Sequence, residues 1–305
     1  MRIKVLGSAA GGGFPQWNCG CVNCQRLRRG SLRSKARSQA QLAVSADGQA
    51  WFLLNASPDL RAQIEATPEL HPLGGARQSP IAGIVLSSGD LDNVLGLLLL
   101  REFQPLQIFS TAAIRQIVSQ ENSFFRLLER VPGQVTWTQI RPGAVLELKS
   151  SGAGICCRAI ALPGAYPAYV SESQRGQLTK DQAVLALALE GQGGKMVFAP
   201  ALPAITKEVR AVMEECDLLF VDGTFWSDDE LQSVRGGGLT AREMGHLPVG
   251  GPAGSLEQLA SLKHPRKIYI HINNTNPMLD EESAQHRQAR NAGWEIAEDR
   301  WEFEL

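Results

Sequence analysis

Residues 1–24 read MRIKVLGSAAGGGFPQWNCGCVNC, and the rest of the chain is organised around them. Ile3, Val5 and Leu6 make a short apolar strand, with Arg2 and Lys4 on the alternate positions. The strand runs into Gly7 to Gly13, where four glycines fall within seven residues. So many glycines require backbone conformations or close approaches that a Cβ would forbid. The loop then delivers Cys19, Cys21 and Cys24. Three thiols this close can converge on one tetrahedral ion, and zinc takes four such ligands. The spacing also allows free thiols on a loop, or one disulfide. We read it as a structural zinc knot whose fourth ligand comes from elsewhere in the chain.

The 305 residues suffice for a large α/β core. Thirty Lys plus Arg stand against 31 Asp plus Glu, so there is no basic field for nucleic acid and no acidic tail. No apolar run approaches the roughly 18 residues of a membrane span, and no signal peptide is visible. We expect a cytoplasmic chain with reduced thiols, in which Cys156, Cys157 and Cys216 are buried. The basic segment Arg26–Arg37 reads as a solvated connection, with a carboxylate-rich substrate as the alternative partner.

The next signals alternate strands with helices. Gln41–Val44 and Trp51–Leu54 form a hairpin about Asp47-Gly48. Ile81–Leu86 is a buried strand that ends in Ser87-Ser88-Gly89-Asp90-Leu91-Asp92-Asn93, followed by a helix to about Glu102. Asp90 and Asp92 can hold a cation through oxygen, and helix capping explains one of them equally well. A strand at 107–109 and a helix from 111 to about Glu129 follow. Val135–Ile140, Val145–Leu148 and Gly154–Ala161 read as a meander. Leu162–Gln177 is a long loop suited to a pocket wall. Past a hairpin at 184–199, Ala204–Cys216 is an amphipathic helix with Val209, Val212 and Met213 inward. Leu218–Val221 ends in Asp222, and Lys267–Ile270 ends in His271. His246 sits in a loop with little apolar periodicity. Polar residues thus collect at the ends of three apolar strands, where α/β proteins place their sites.

Five stretches carry a resemblance over nearly the whole chain: GSAAGGGFPQWNCGCVNC (7–24), GDLDNVLGLLLLRE (89–102), VDGTFW (221–226), MGH (244–246) and IHINNTNP (270–277). Together they resemble the PqqB family of pyrroloquinoline quinone (PQQ) biosynthesis. The resemblance implies α/β architecture of the metallo-β-lactamase fold, a four-layer αβ/βα sandwich, with residues 1–305 as a single domain. Hydrolases of that superfamily carry His-x-His-x-Asp-His, which falls here on Ser88, Asp90, Asp92 and Asn93. Asn93 replaces a histidine that PqqB relatives usually keep. The next hydrolase histidine is missing between Leu162 and Tyr166, and the metal-bridging Asp is replaced by Ala199 and Pro200. An ordinary dinuclear hydrolase cannot be built from this set.

What the resemblance leaves is a second metal site of Asp90, Asp92, Asn93 and His271, suited to non-haem Fe(II). Asp222 and His246 then serve as proton-transfer or supporting groups. Related phosphodiesterases close a three-cysteine zinc site three residues after the last histidine, which is Asn274 here. The implied activity is iron- and O₂-dependent hydroxylation of the tyrosine ring in a Glu–Tyr cross-linked precursor. The alternative is a non-catalytic carrier involved in transport of PQQ or its precursor to the periplasm. The implied partners are that small molecule and other proteins of the pathway.

Overall fold

A computed structural model of the chain describes residues 1–102, 104–150 and 152–305. Among the described residues the strands are β1 (Arg2–Gly7), β2 (Gln41–Ser45), β3 (Trp51–Leu54), β4 (Ile81–Val85), β5 (Leu106–Ser110), β6 (Val135–Gln139), β7 (Val145–Leu148), β8 (Ile155–Leu162), β9 (Val184–Gly191), β10 (Gly194–Ala199), β11 (Leu218–Asp222), β12 (Arg266–Ile270), β13 (Trp294–Ile296) and β14 (Glu302–Glu304). The chain groups into two compact units. One comprises residues 1–6, 41–194 and 300–305, and the other residues 7–40 and 195–299.

In the first unit the strands run β14-β1-β2-β3-β4-β5-β6. The expected hairpin is present as the antiparallel pair β2–β3, whereas β3–β4, β4–β5 and β5–β6 are parallel. The expected meander is corrected here. β6 pairs with β5, and the antiparallel run is β7–β8–β9. The expected helix after Asn93 is also corrected: one α-helical turn, Leu91–Val94, tightens into a 3₁₀ stretch over Leu95–Leu100. Gly96 explains the tightness, because a Cβ there would lie 2.3 Å from the Ser57 carbonyl oxygen. The segment expected as one helix from 111 to 129 is broken into a short α-helix, a π turn and a 3₁₀ stretch. Asn122 restarts the last piece as its cap.

The second unit holds the parallel strands β10-β11-β12-β13. Every residue of β11 (LLFVD) is buried, as a strand covered on both faces must be. The helix Lys207–Glu215 packs inward through Val209, Val212 and Met213, as its periodicity predicts. Thr206 caps it by accepting from the Val209 N–H at 3.2 Å. Tyr269 on β12 stacks on Trp294 of β13 with ring centroids 4.1 Å apart. Burying such rings contributes about 2 kcal/mol each before chain entropy is counted. The basic segment is not a solvated connection throughout. Arg26 pairs with Asp280 at 2.6 Å, and Arg37 is buried with its Nε donating to the Ala297 carbonyl at 3.1 Å.

Candidate functional site

The glycine loop brings Cys19, Cys21 and Cys24 together, with their ligand atoms within 4.8 Å of one another. Cys21 caps the short helix Val22–Arg28, its sulfur accepting from the Cys24 N–H at 3.5 Å. The buried Asn274 amide faces the same point, with Nδ2 at 3.0 Å from Cys19 Sγ, 3.5 Å from Cys24 Sγ and 3.6 Å from Cys21 Sγ. Turning that amide by half a turn would put Oδ1 where Nδ2 stands, so three sulfurs and one oxygen fit a four-coordinate ion. Burial pushes the Cys24 thiol up to about 12. Burial also raises Cys19, but the Cys21 N–H, the neighbouring thiols and the Asn274 amide outweigh it and hold Cys19 below the usual thiol range. Such a thiol pair would release protons on metal binding.

Two further asparagines fix Asn274. Asn23 Nδ2 donates to the carbonyls of Asn274 (3.2 Å) and Asn276 (3.0 Å). Asn276 Nδ2 donates to the Gly223 carbonyl at 2.9 Å. Both were missed in the sequence reading, since a buried asparagine that serves backbone carbonyls leaves no motif.

In the same unit, the parallel register sets Asp222 opposite Ile270, so Asp222 and His271 leave their strands at one edge. Gly223 permits this approach: a Cβ there would lie 2.9 Å from Tyr269 Cβ. His271 takes a left-handed backbone, φ +59°. The structure brings Asp222, His246 and His271 together. Asp222 Oδ2 accepts from the Leu202 N–H at 2.9 Å and lies 2.8 Å from His246 Nδ1. The two imidazoles stack at 5.5 Å.

Thr224 is the hub that the sequence reading missed. Its hydroxyl lies 2.6 Å from Asp222 Oδ1, 2.8 Å from His271 Nδ1, 2.9 Å from the His271 carbonyl and 3.2 Å from His246 Nδ1. One hydroxyl carries one proton, and the shortest contact is to a carboxylate, which takes it. His271 Nδ1 must then donate to Thr224, and His246 Nδ1 donates to Asp222. In a neutral ring the proton would then sit on Nδ1, the tautomer that leaves Nε2 for a metal or a proton. Burial raises the Asp222 carboxyl, but the His246 and His271 imidazoles and the Thr224 hydroxyl outweigh it and hold it below the usual range. The signal that could have revealed Thr224 is the Asp-x-Thr turn itself, in which Asp222 Oδ1 accepts from the Thr224 N–H at 2.9 Å.

Asp90, Asp92 and Asn93 lie in the first unit, on the turn that follows β4. The Asn93 N–H donates to the Asp90 carbonyl at 2.9 Å, and the Asn93 carbonyl accepts from the Ala56 N–H at 2.7 Å. Asn93 Nδ2 donates to Ser88 Oγ at 2.8 Å, and Ser88 Oγ donates to Asp90 Oδ2 at 2.6 Å. Asn93 Oδ1 is buried and has no hydrogen-bond partner among the described residues. An acceptor left so costs about 1–3 kcal/mol, which a cation would offset. The residues therefore fit a metal. Tyr169, from the loop expected as a pocket wall, donates its hydroxyl to the Gly89 carbonyl at 2.5 Å and supports the same turn.

Residues 50–272 match the Beta-lactamase superfamily domain. The chain is 44% identical to the coenzyme PQQ synthesis protein B of Methylococcus capsulatus and 42% identical to that of Pseudomonas putida, over the full length of each. The crystal structure of Zn(2+)-bound PqqB from Methylobacterium extorquens superposes with a TM-score of 0.93 at 35% identity, covering both chains completely. A diphosphatase from the PhnP family, 17% identical with a TM-score of 0.67 and covering 100% of this chain and 97% of its own, shares the fold. The fold is thus the metallo-β-lactamase fold expected from the sequence. Among the described residues no helix is long and apolar enough to cross a membrane.

Proposed function

The chain belongs to the coenzyme PQQ synthesis protein B family of the β-lactamase superfamily, and from that premise we propose that it acts in PQQ synthesis as an iron- and O₂-dependent hydroxylase of the tyrosine ring in the Glu–Tyr cross-linked precursor. The observation that carries this reading is the donor set. Carboxylates at Asp90 and Asp92 and a buried amide oxygen at Asn93 with no partner among the described residues give hard oxygen donors on one turn, and the family resemblance adds the imidazole of His271 to that set. Fe(II) would supply O₂ activation there. One oxygen atom enters a ring C–H as hydroxyl, the other leaves as water, and an external two-electron reductant balances the step. His246, backed by buried Asp222, accepts the proton of a substrate hydroxyl through Nε2.

In this reading Cys19, Cys21, Cys24 and Asn274 hold structural zinc, as the relative from Methylobacterium extorquens binds Zn(2+). The chain works in the cytoplasm beside other proteins of its pathway.

The test is anaerobic Fe(II) titration of the zinc-loaded chain, Asp92→Ala and His271→Ala, followed by single turnover of precursor with O₂ and ascorbate. One iron equivalent and hydroxylated product in the wild type, with both lost in the variants, is the expected result. Unchanged turnover in Asp92→Ala would overturn it.

A carrier reading is favoured by one observation: the hydrolase ligands are replaced at Ser88, Asn93, Ala199 and Pro200. It predicts tight binding of PQQ in equilibrium dialysis against chelator, without metal at the second site.

A further inference from the structure

Residues 26–37 carry six basic side chains, and residues 7–46 contain no Asp or Glu. Four of the six meet carboxylates of the same unit: Arg26 on Asp280, Arg33 on Glu281 and Glu282, and both Lys35 and Arg37 on Glu298. Arg28 and Arg29 are left over, both exposed and with no carboxylate partner among the described residues.

Arg28 is instead spent on the loop before it. Its guanidinium donates to the Gln16 carbonyl at 2.5 Å and the Cys19 carbonyl at 2.6 Å, on either side of Trp17 in the chain. The Cys19 N–H closes the same turn on the Gln16 carbonyl at 3.1 Å, and Gln25 Nε2 donates to the Gly20 carbonyl at 2.6 Å. The backbone that carries Trp17 is thereby pinned before and after it, yet the indole is 85% exposed. Val22, 69% exposed, opens the helix Val22–Arg28, and Arg29 stands seven residues on, two turns along the same face.

A single exposed apolar side chain needs no explanation. A backbone fixed under a projecting indole does, because a rigid anchor spares a partner the entropy of ordering it. Tryptophan and arginine are also the residues that anchor protein interfaces. The charge says which kind of partner. Nucleic acid binding rests on an extended basic field, and here the other basic side chains of the segment are already neutralised. Two uncompensated guanidinium groups beside an indole suit a short segment with a few carboxylates around an apolar residue.

We propose that Trp17, Val22, Arg28 and Arg29 form a docking surface for an acidic peptide segment of a partner protein. An apolar side chain of that segment packs on the indole and Val22, and its carboxylates meet the guanidinium groups. The surface borders the cysteine knot and takes no part in the reaction proposed above, so each can fail without the other.

The experiment pans a phage-displayed random peptide library against the immobilised, zinc-loaded full chain. The enriched peptides are expected to carry Asp or Glu beside Leu, Phe or Trp. The strongest is then synthesised with a fluorescent label, and its Kd is read by anisotropy on wild type, Trp17→Ala, Trp17→Phe and Arg29→Glu. Trp17→Ala and Arg29→Glu should each weaken binding at least about tenfold, and Trp17→Phe, which keeps a ring, less than about threefold. Arg29→Glu should also flatten the salt dependence. All variants should keep their zinc equivalent and their urea unfolding curve, which separates lost docking from lost fold. Peptides without an acidic bias, no enrichment at all, or equal affinity for wild type and either weakened variant would overturn the inference. Displacement of the peptide by a single-stranded oligonucleotide would overturn it too, by assigning the surface to nucleic acid.

Discussion

Glu230 sets up a prediction that separates a buried carboxyl's ionisation from everything else in the chain. The side chain is buried, with Oε2 accepting from the Trp226 N–H and Oε1 from the Thr275 hydroxyl, both at 2.6 Å. Burial, reinforced by nearby Asp229 and only partly offset by these donors, pushes the carboxyl up from about 4.5 to about 7. Between those values the folded chain keeps a proton that the unfolded chain has released. Stability therefore falls as pH rises from about 4.5 to about 7 and is level above it. The full loss is on the order of 3 kcal/mol, from 1.36 kcal/mol per tenfold in proton affinity. Glu230→Gln carries no ionisable group and escapes it. Urea unfolding of both zinc-loaded proteins at pH 5 and pH 8 measures the effect. Relative to wild type, Glu230→Gln should gain about 2–3 kcal/mol between the two pH values. Asp299, also raised by burial, titrates in both proteins and cancels in the difference. A difference that stays constant within about 0.5 kcal/mol would refute the reasoning.

Other expectations follow from single contacts. Cys24→Ala should lose the zinc equivalent by elemental analysis and weaken the chain by several kcal/mol, because structural zinc contributes folding free energy. Thr224→Val should scramble the histidine tautomers, read by ¹⁵N NMR of His246 and His271, while Thr224→Ser should restore the Nδ1–H forms. An unchanged spectrum in Thr224→Val would show that the hydroxyl does not direct the rings. Gly96→Ala should cost more than about 2 kcal/mol in urea unfolding, because its Cβ would meet the Ser57 and Ala56 carbonyl oxygens at 2.3 and 2.8 Å.

The elements that sequence disclosed are those whose signal is local. The Cys19–Cys24 spacing, the buried runs at Ile81–Val85 and Leu218–Asp222, and the face of Lys207–Glu215 can be read without knowing any neighbour. What it hid depends on partners. The alternation in Val135–Gln139 says strand, but not that the neighbour is Leu106–Ser110 rather than Val145–Leu148. The leucine run Leu95–Leu100 has helical composition, and only the backbone pressed against Gly96 tightens it. At the site, carboxylates and imidazoles announce themselves. The threonine between them does not, because a hydroxyl acquires its role only from the four groups that fold around it.

The segment from His271 to Asn276 belongs to two clusters at once. Asn274 reaches the sulfurs, while His271 is held three residues earlier by its ring on Thr224, and Asn23 and Asn276 lace the intervening backbone. Sulfur chemistry is thereby given a say over imidazole geometry. If the thiols hold zinc as proposed, an oxidant that converts one of them to sulfenic acid would remove a ligand, release Asn274, and slacken the tether on a histidine that shares no atom with the damage.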